Sequence, residues 1–314
     1  MRGQIPLIGI DVLKDALGMS SADSDTILRR LVVAASNYFE SAAGVNRRIR
    51  QRTYTDEKYS GGGSAVPGIR KRLYLDNYPV VSVASLYDDP TVAFGSSTLF
   101  ASTDFDIFKK RGYIQLRNDS VYLSRFNFSQ QNIKITYDAG YGIDIQTGIN
   151  DRIDFDEGSS ALVATLTEAQ YTPEALATEV STQMTSAGTD FTCTYDEATE
   201  KFAIAQDTPA TFNLLWTSGA NEDRSAGKTL GFDVTADDGS ATTYTADDLV
   251  TGIPEDIVNA VIEIAMKMFK DAPKGDNRFL IKSETMNRQG TRALMTGQSE
   301  YVKDVISAYK RILL

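Results

Sequence analysis

Asn132-Ile-Lys-Ile-Thr-Tyr137, followed by Asp138-Ala-Gly-Tyr-Gly142, reads as a strand running into a glycine turn, and its natural continuation, Ile253-Pro-Glu-Asp-Ile257, stands about a hundred residues later. Apolar and polar residues alternate in the first run, the period of a half-buried strand. The second run opens on a proline where the first residue of a helix can dispense with its N–H. The segment between them differs in charge from its surroundings. Residues 149–251 hold 19 Asp+Glu against 4 Lys+Arg, net −15, while the rest holds 23 against 28, net +5; together they give the whole-chain −10. This shift predicts a mildly basic host, 1–148 plus 252–314, interrupted by an acidic inserted domain, 149–251.

The 314 residues, 42% hydrophobic and 24% charged, suffice for two cores. No apolar run approaches the ~20 residues of a membrane helix. Met1-Arg-Gly-Gln-Ile-Pro-Leu-Ile-Gly-Ile10 is too short and interrupted for a signal peptide, so the chain is expected to begin in a cytoplasm without membrane contact. The single cysteine, Cys193, lies in the alternating run Phe191-Thr-Cys-Thr-Tyr195 and reads as a buried strand thiol. With no histidine, Ser-His-Asp, Cys-His and His-containing zinc sites are excluded. Lysine- or carboxylate-based chemistry is not excluded on that ground. No catalytic residue, metal ligand or cofactor site is expected.

Two helices open the host. Asp11 is read as the N-cap of a short helix closed by Gly18, and the apolar residues Ile27, Leu28, Leu31, Val32, Ala35, Tyr38, Phe39 and Ala42 give a longer one helical spacing up to Gly44. The period then changes to two over Arg50–Tyr59, and further strands are expected at Arg72–Leu75 and Val80–Tyr87. A hairpin follows, Phe105–Phe108 and Tyr113–Leu116 about Lys109-Lys-Arg-Gly112, with the 132–137 strand completing a small antiparallel sheet. After the insert, Ile257, Val258, Val261, Ile264, Ala265, Met268 and Phe269 form the stripe of a proline-led helix. Residues 271–314 read as an extended basic arm and a closing helix.

The insert reads as an α+β unit. Strands are expected at 153–155 and 161–166, and a helix led by Thr172 and Pro173 over 171–180. A hairpin spans 191–195 and 201–205 about Asp196-Glu-Ala-Thr199, followed by a strand at 212–216.

In this order the host resembles the head-tail connector (adaptor) proteins of long-tailed bacteriophages. The resemblance rests on Asp11-Val-Leu-Lys14, Ala34-Ala-Ser-Asn-Tyr-Phe-Glu40, Tyr74-Leu-Asp-Asn-Tyr-Pro-Val-Val-Ser-Val83, Ile135-Thr-Tyr-Asp-Ala-Gly-Tyr141, Ile253-Pro-Glu-Asp-Ile-Val-Asn-Ala-Val261 and the 302–313 helix. It covers most of 1–148 and 252–314; the inserted hundred residues depart from the family's pattern. The insert resembles a small domain recurring in phage structural proteins, on Tyr171-Thr-Pro-Glu-Ala-Leu-Ala177, Lys201-Phe-Ala-Ile204, Phe212-Asn-Leu-Leu215 and Leu230-Gly-Phe232. The fold class expected from residues and resemblance together is α+β: a helical connector core with a small antiparallel sheet, interrupted by an inserted α+β domain.

The resemblance implies a homo-oligomeric, dodecameric ring docked on the portal protein and followed by a stopper or tail-completion protein. DNA passes through its channel without sequence readout, and the ring is carried in the virion after assembly in the host cytoplasm. The arm and last helix are the candidate contacts to portal or neighbouring subunit, through Arg278, Lys282, Arg288, Arg292, Val302, Val305, Ile306, Tyr309, Ile312 and Leu313. The alternative is that the helix folds back on its own core. Arg47, Arg48, Arg50 and Arg52 form the densest basic cluster, read either as charge at a helix C-terminus or as contacts to portal or channel DNA.

Weaker motifs stand beside these. Ala226-Gly-Lys-Thr229 fails as a phosphate loop, because the earlier glycine it needs is replaced by Glu222. Asp104 with Asp106, the set Asp154, Asp156 and Glu157, and Asp237 with Asp238 pair carboxylates at spacings a strand or turn produces without a metal. Two other classes stay open: another neck or tail component, and a carbohydrate- or cell-binding module using Tyr171, Trp216, Phe232 and Tyr244, which would have to be exposed.

Overall fold

The computed structural model describes residues 6–21, 23–61, 71–117, 125–158, 160–207, 210–270 and 298–311. Among these the chain is mostly β, with fifteen strands in five antiparallel sheets and five α-helices. The expected helical core with one small sheet is therefore overturned. Strands of three to five residues, paired to partners far along the chain, leave little periodic signal, whereas helical stripes are read directly from the sequence.

The chain forms two compact units. The smaller comprises Arg47–Tyr141 and Arg311–Leu314. It holds two three-stranded sheets. The first takes β1 (Arg52–Tyr59), β6 (Ile133–Ala139) and β3 (Val80–Asp88) in the order β1-β6-β3. The second takes β2 (Arg72–Tyr74), β5 (Tyr113–Leu116) and β4 (Phe105–Phe108) in the order β2-β5-β4. The 132–137 strand thus does not complete the hairpin's sheet, as the sequence suggested; it forms the centre of a separate one. Its alternation is satisfied there, with Ile133, Ile135, Tyr137 and Ala139 fully buried.

Two polar clusters, at Glu57 and at Asn132, tie this unit together. In β1, Glu57 accepts hydrogen bonds from the hydroxyls of Tyr59 (2.7 Å) and Tyr137 (2.8 Å), and burial raises both phenols above the ordinary tyrosine range. Asn132, with no exposed surface, ties three segments together. Its Nδ2 donates to Asp88 Oδ1 (2.6 Å) and the Asn127 carbonyl (3.1 Å), and its Oδ1 accepts from the Gly61 N–H (2.8 Å). Gly61 sits so close that a Cβ there would lie 2.1 Å from the Asn127 carbonyl oxygen.

The larger unit comprises Met1–Asn46 and Gly142–Lys310. Its helices α1 (Ile10–Leu17), α2 (Asp25–Glu40), α4 (Glu255–Lys270) and α5 (Glu300–Tyr309) pack on one another, α4 contacting the other three. Leu13, Leu28, Leu31, Ala35, Phe39, Ile257, Val261 and Ile264 supply the buried stripes. Asp11 lies inside the first turn of α1, and Gly9 occupies the N-cap that the sequence gave to Asp11. A β-carbon on Gly9 would meet the Ala198 carbonyl oxygen at 2.6 Å, so the approach of α1 to the 196–199 turn requires glycine.

The acidic segment builds its own core in this unit. The strands are β7 (Ile143–Ile145), β8 (Arg152–Asp156), β9 (Ala161–Thr165), β10 (Ala169–Tyr171), β11 (Phe191–Asp196), β12 (Lys201–Gln206), β13 (Phe212–Leu214), β14 (Asp238–Ala241) and β15 (Thr243–Thr245). They form sheets in the orders β14-β13-β8-β9, β11-β12-β15 and β10-β7, with α3 (Pro173–Ala187) packed on β11 and β9. Thr172 caps α3, its hydroxyl accepting from the Ala175 N–H (3.2 Å), and Pro173 follows as expected. The larger unit joins this segment to helices of the host. Ile143 and Ile145, assigned to the host, pair with Tyr171 and Ala169 and join the core of Phe155, Leu176, Phe202, Phe212 and Trp216.

Candidate partner-binding surfaces

The last helix was expected to offer an apolar stripe to a partner. Ser299 caps it, its hydroxyl accepting from the Val302 N–H (3.2 Å), and Val302, Val305 and Ile306 are buried where α5 packs on α4. The hydroxyls of Tyr301 and Tyr309 reach Asp256, its carbonyl and its Oδ1 respectively, at 3.1 Å each. In the single chain this stripe is internal, the alternative the sequence left open. Arg278, Lys282, Arg288, Arg292, Ile312 and Leu313 lie outside the described residues.

The arginine cluster marks the entry into the smaller unit. Arg47 is buried, its guanidinium 4.1 Å from the centroid of the Tyr78 ring and hydrogen-bonded to the Tyr78 carbonyl, with the Tyr141 ring 5.7 Å away. The Arg48 N–H donates to Asn77 Oδ1 (3.2 Å), Arg50 bridges to Tyr141, and Arg52 pairs with Ala139 at the start of β1. Arg48, Arg50 and Arg52 are half-buried. The cluster is built into the fold rather than raised from it, so Arg47 serves internal packing.

The carboxylate sets weighed as cation sites are likewise engaged. Asp154 is buried and accepts from the backbone N–H (2.7 Å) and Nδ2 (2.9 Å) of Asn221. Asp156 accepts from Asn213 Nδ2 (2.9 Å), and Glu157 from the N–H and hydroxyl of Thr189, both at 2.7 Å. Asp104 accepts from the Ala101 N–H (2.8 Å) while Asp106 faces Arg117 (2.6 Å). Among the described residues no group of three His, Cys, Asp or Glu is disposed to hold a metal. In the Ala226–Thr229 string, Gly227 lies under Trp216, where a Cβ would come within 2.8 Å of the ring.

The aromatics that a sugar-binding face would expose point inward. Trp216 and Phe232 are buried with ring centroids 5.4 Å apart, and Trp216 Nε1 donates to Asp238 Oδ2 (2.9 Å). Tyr171 and Tyr244 pack at the edge of the same core. Burial pushes the Cys193 thiol up to about 12, consistent with the strand thiol the alternation predicted.

Asp151 and Asp237 are among the carboxyls of the larger unit that their surroundings hold below the usual range. At Asp151, burial opposes ionisation, yet the bidentate Arg224 guanidinium (2.6 and 2.8 Å) holds the carboxyl below the usual range. At Asp237, desolvation is outweighed by donors from Ser218 and Thr217, bringing the group to about 2. Because both folded-state values are depressed, the stability they give is present above about pH 4 and is lost as pH falls toward about 2. The urea midpoint of the larger unit, followed by the fluorescence of Trp216, is expected to hold from pH 7 to pH 5 and fall below pH 4. Asp237→Asn should flatten that slope; a midpoint rising toward pH 3 would refute the assignment.

The sequence reading passed over a different surface. Opposed residues of β2, β5 and β4 place Tyr74, Tyr113 and Phe108 in one row and Arg72, Gln115 and Asp106 in the next, on the face opposite the buried Leu73, Ile114 and Leu116. Tyr113 stacks on Phe108 (4.4 Å) and lies 5.3 Å from Tyr74, with the Arg72 guanidinium 5.0 Å from its ring. Lys109, Lys110 and Arg111 form an exposed turn at the end of this row, held by Gly112 at φ 67°. The i, i+2 alternation of Arg72 with Tyr74 was the sequence signal available; which strands flank β5 was not in it.

The chain matches no protein-family model and no curated protein sequence. No helix of the described residues is long and apolar enough to cross a membrane.

Proposed function

We propose that this chain is a structural head-tail connector of a tailed phage, without catalysis. Its copies form a ring, dodecameric by the resemblance, that joins the portal to the neck or tail and surrounds the DNA channel. It assembles in the host cytoplasm and is carried in the virion. The observation that supports this most is the segregation of charge by compact unit. The smaller unit holds 15 Lys+Arg against 9 Asp+Glu, net +6, and the larger 17 against 33, net −16. A chain carrying both members of a complementary pair favours contact between unlike surfaces of successive copies, and such head-to-tail contacts generate rings when the rotation closes. Carboxylates at the insert's density would repel DNA phosphates, so the insert sits on the outside of the ring.

Co-sedimentation with portal rings encoded beside this chain tests the reading. About one copy bound per portal subunit is expected, with loss of binding when Arg278, Lys282, Arg288 and Arg292 are all replaced by Glu, a change that leaves α5 in place. If the arm variant binds as well as the intact chain, the arm serves neighbours or the next neck component. If neither binds, direct portal docking is overturned and the chain belongs further down, as a stopper or tail-completion component.

A further inference from the structure

We infer that the outer face of the β2-β5-β4 sheet is the socket for a second copy of this chain, and that its occupant is the acidic larger unit of the neighbouring subunit. The inference rests on the ring reading and assigns its subunit contact.

Three observations carry it. The face is cationic: Arg72, Lys109, Lys110 and Arg111 stand on it against one carboxylate, Asp106, which Arg117 already neutralises. Among the described residues no carboxylate lies within ion-pair distance of Lys109, Lys110 or Arg111. The face also exposes apolar surface at its flanks, with Phe108 36% and Tyr74 42% exposed on either side of the buried Tyr113. Rigid aromatics beside cations give a surface that loses little entropy on docking. Finally, the position is fixed. The Gly112 N–H closes the 109–111 turn on the Phe108 carbonyl (2.9 Å), and a β-carbon on Gly112 would lie 2.8 Å from the Tyr78 side chain, so the three cations are held on a turn that cannot drift.

Charge complementarity selects the occupant. The larger unit, net −16, exposes carboxylates beside apolar side chains, as in Asp247-Asp248-Leu249, where Leu249 is 45% exposed. That combination matches cations beside Phe108 and Tyr74.

The test is sedimentation velocity of the intact chain alone, at 50 mM and 500 mM NaCl. Self-association is expected at low salt and should weaken at high salt, since the Debye length shrinks from roughly 14 Å to 4 Å over that range. Lys109→Glu/Lys110→Glu/Arg111→Glu should weaken self-association roughly a hundredfold, because like charges placed opposite one another are strongly unfavourable. The neutral K109Q/K110Q/R111Q variant should lose less. The reversed variant keeps its acidic unit, so when mixed with wild type it should cap wild-type chains as a heterodimer; this outcome separates a head-to-tail contact from a symmetric one. An unchanged near-UV spectrum confirms that both variants fold.

A reversed variant that associates like wild type, or a wild type that stays monomeric at low salt, overturns the socket. Binding of a single-stranded oligonucleotide that the reversal abolishes, with self-association intact, would assign the face to nucleic acid instead. Self-association that the reversal abolishes, in a chain that ignores portal rings, would keep the socket and discard the connector.

Discussion

Phe212→Ala is expected to cost about 3–5 kcal/mol, enough to unfold the acidic segment's core under conditions where the wild type is stable. Phe212 is 1% exposed and sits in a chain of edge-to-face rings: Phe155 to Phe191 at 5.2 Å, Phe191 to Phe212 at 5.0 Å, and Phe212 to Tyr244 at 4.9 Å. These rings join the sheet of β8 and β13 to the sheet of β11 and β15. Removing the central ring loses its buried area, opens a cavity, and breaks two aromatic pairs worth roughly 0.5–1.5 kcal/mol each. Trp216, the only tryptophan, lies in the same core and reports the loss directly by fluorescence in urea. The tyrosine-rich smaller unit, followed by near-UV dichroism, should keep its own transition. A cost below about 1 kcal/mol would mean that Phe212 does not bridge the two sheets.

In the smaller unit the largest effect is expected at Asn132. Asn132→Ala strands the buried Asp88 Oδ1 and the buried Gly61 N–H, and also removes the donor to the carbonyl of the exposed Asn127. At about 1–3 kcal/mol for each buried stranded group, a loss of at least about 2 kcal/mol follows. Burial already raises the Asp88 carboxyl above its ordinary value despite its amide donors. Without Asn132 it should rise further, so the variant's deficit should shrink as pH falls. The reverse trend, a deficit that grows toward acid, would place the lost energy elsewhere.

The elements that could be read from sequence were those whose pattern is local. The Thr172-Pro173 start of α3, the turn at Gly112 and the hairpin about 196–199 are each declared within a dozen residues and stand where expected, whereas α2 keeps most of its expected stripe but ends at Glu40, before Ala42, and leaves Ile27 45% exposed. Pairings across long separations were not legible. Nothing in 132–137 states that Tyr137 will oppose Tyr54 and Val83 rather than the neighbouring hairpin, and β7 and β10 are too short to show a period. The candidate surfaces divided along the same line. The stripe of Val302, Val305 and Ile306 was correctly read as apolar, but α4 supplies its partner within the chain. The densest basic cluster proved to include a buried packing residue, Arg47, because the rings of Tyr78 and Tyr141 that cover it come from 31 and 94 positions away. Conversely, the exposed basic turn at 109–111 drew notice only as a hairpin, since its significance depends on the aromatic row beside it.

Charge separates the chain by compact unit. The acidic segment lies with the host's helices in the larger unit, net −16, and the remaining host residues, Arg47–Tyr141 with Arg311–Leu314, form the smaller unit, net +6. A chain organised in this way is suited to successive head-to-tail contacts, and the connector proposal follows from that suitability together with the resemblance of its host segments.

The most direct measurement is electron microscopy of portal rings incubated with this chain, averaged down the ring axis. A second closed ring, coaxial with the portal, with one copy of this chain per portal subunit and the acidic segment on its outer wall, is the result the proposal predicts. Bare portal rings beside free chain, or acidic density filling the channel, would contradict it.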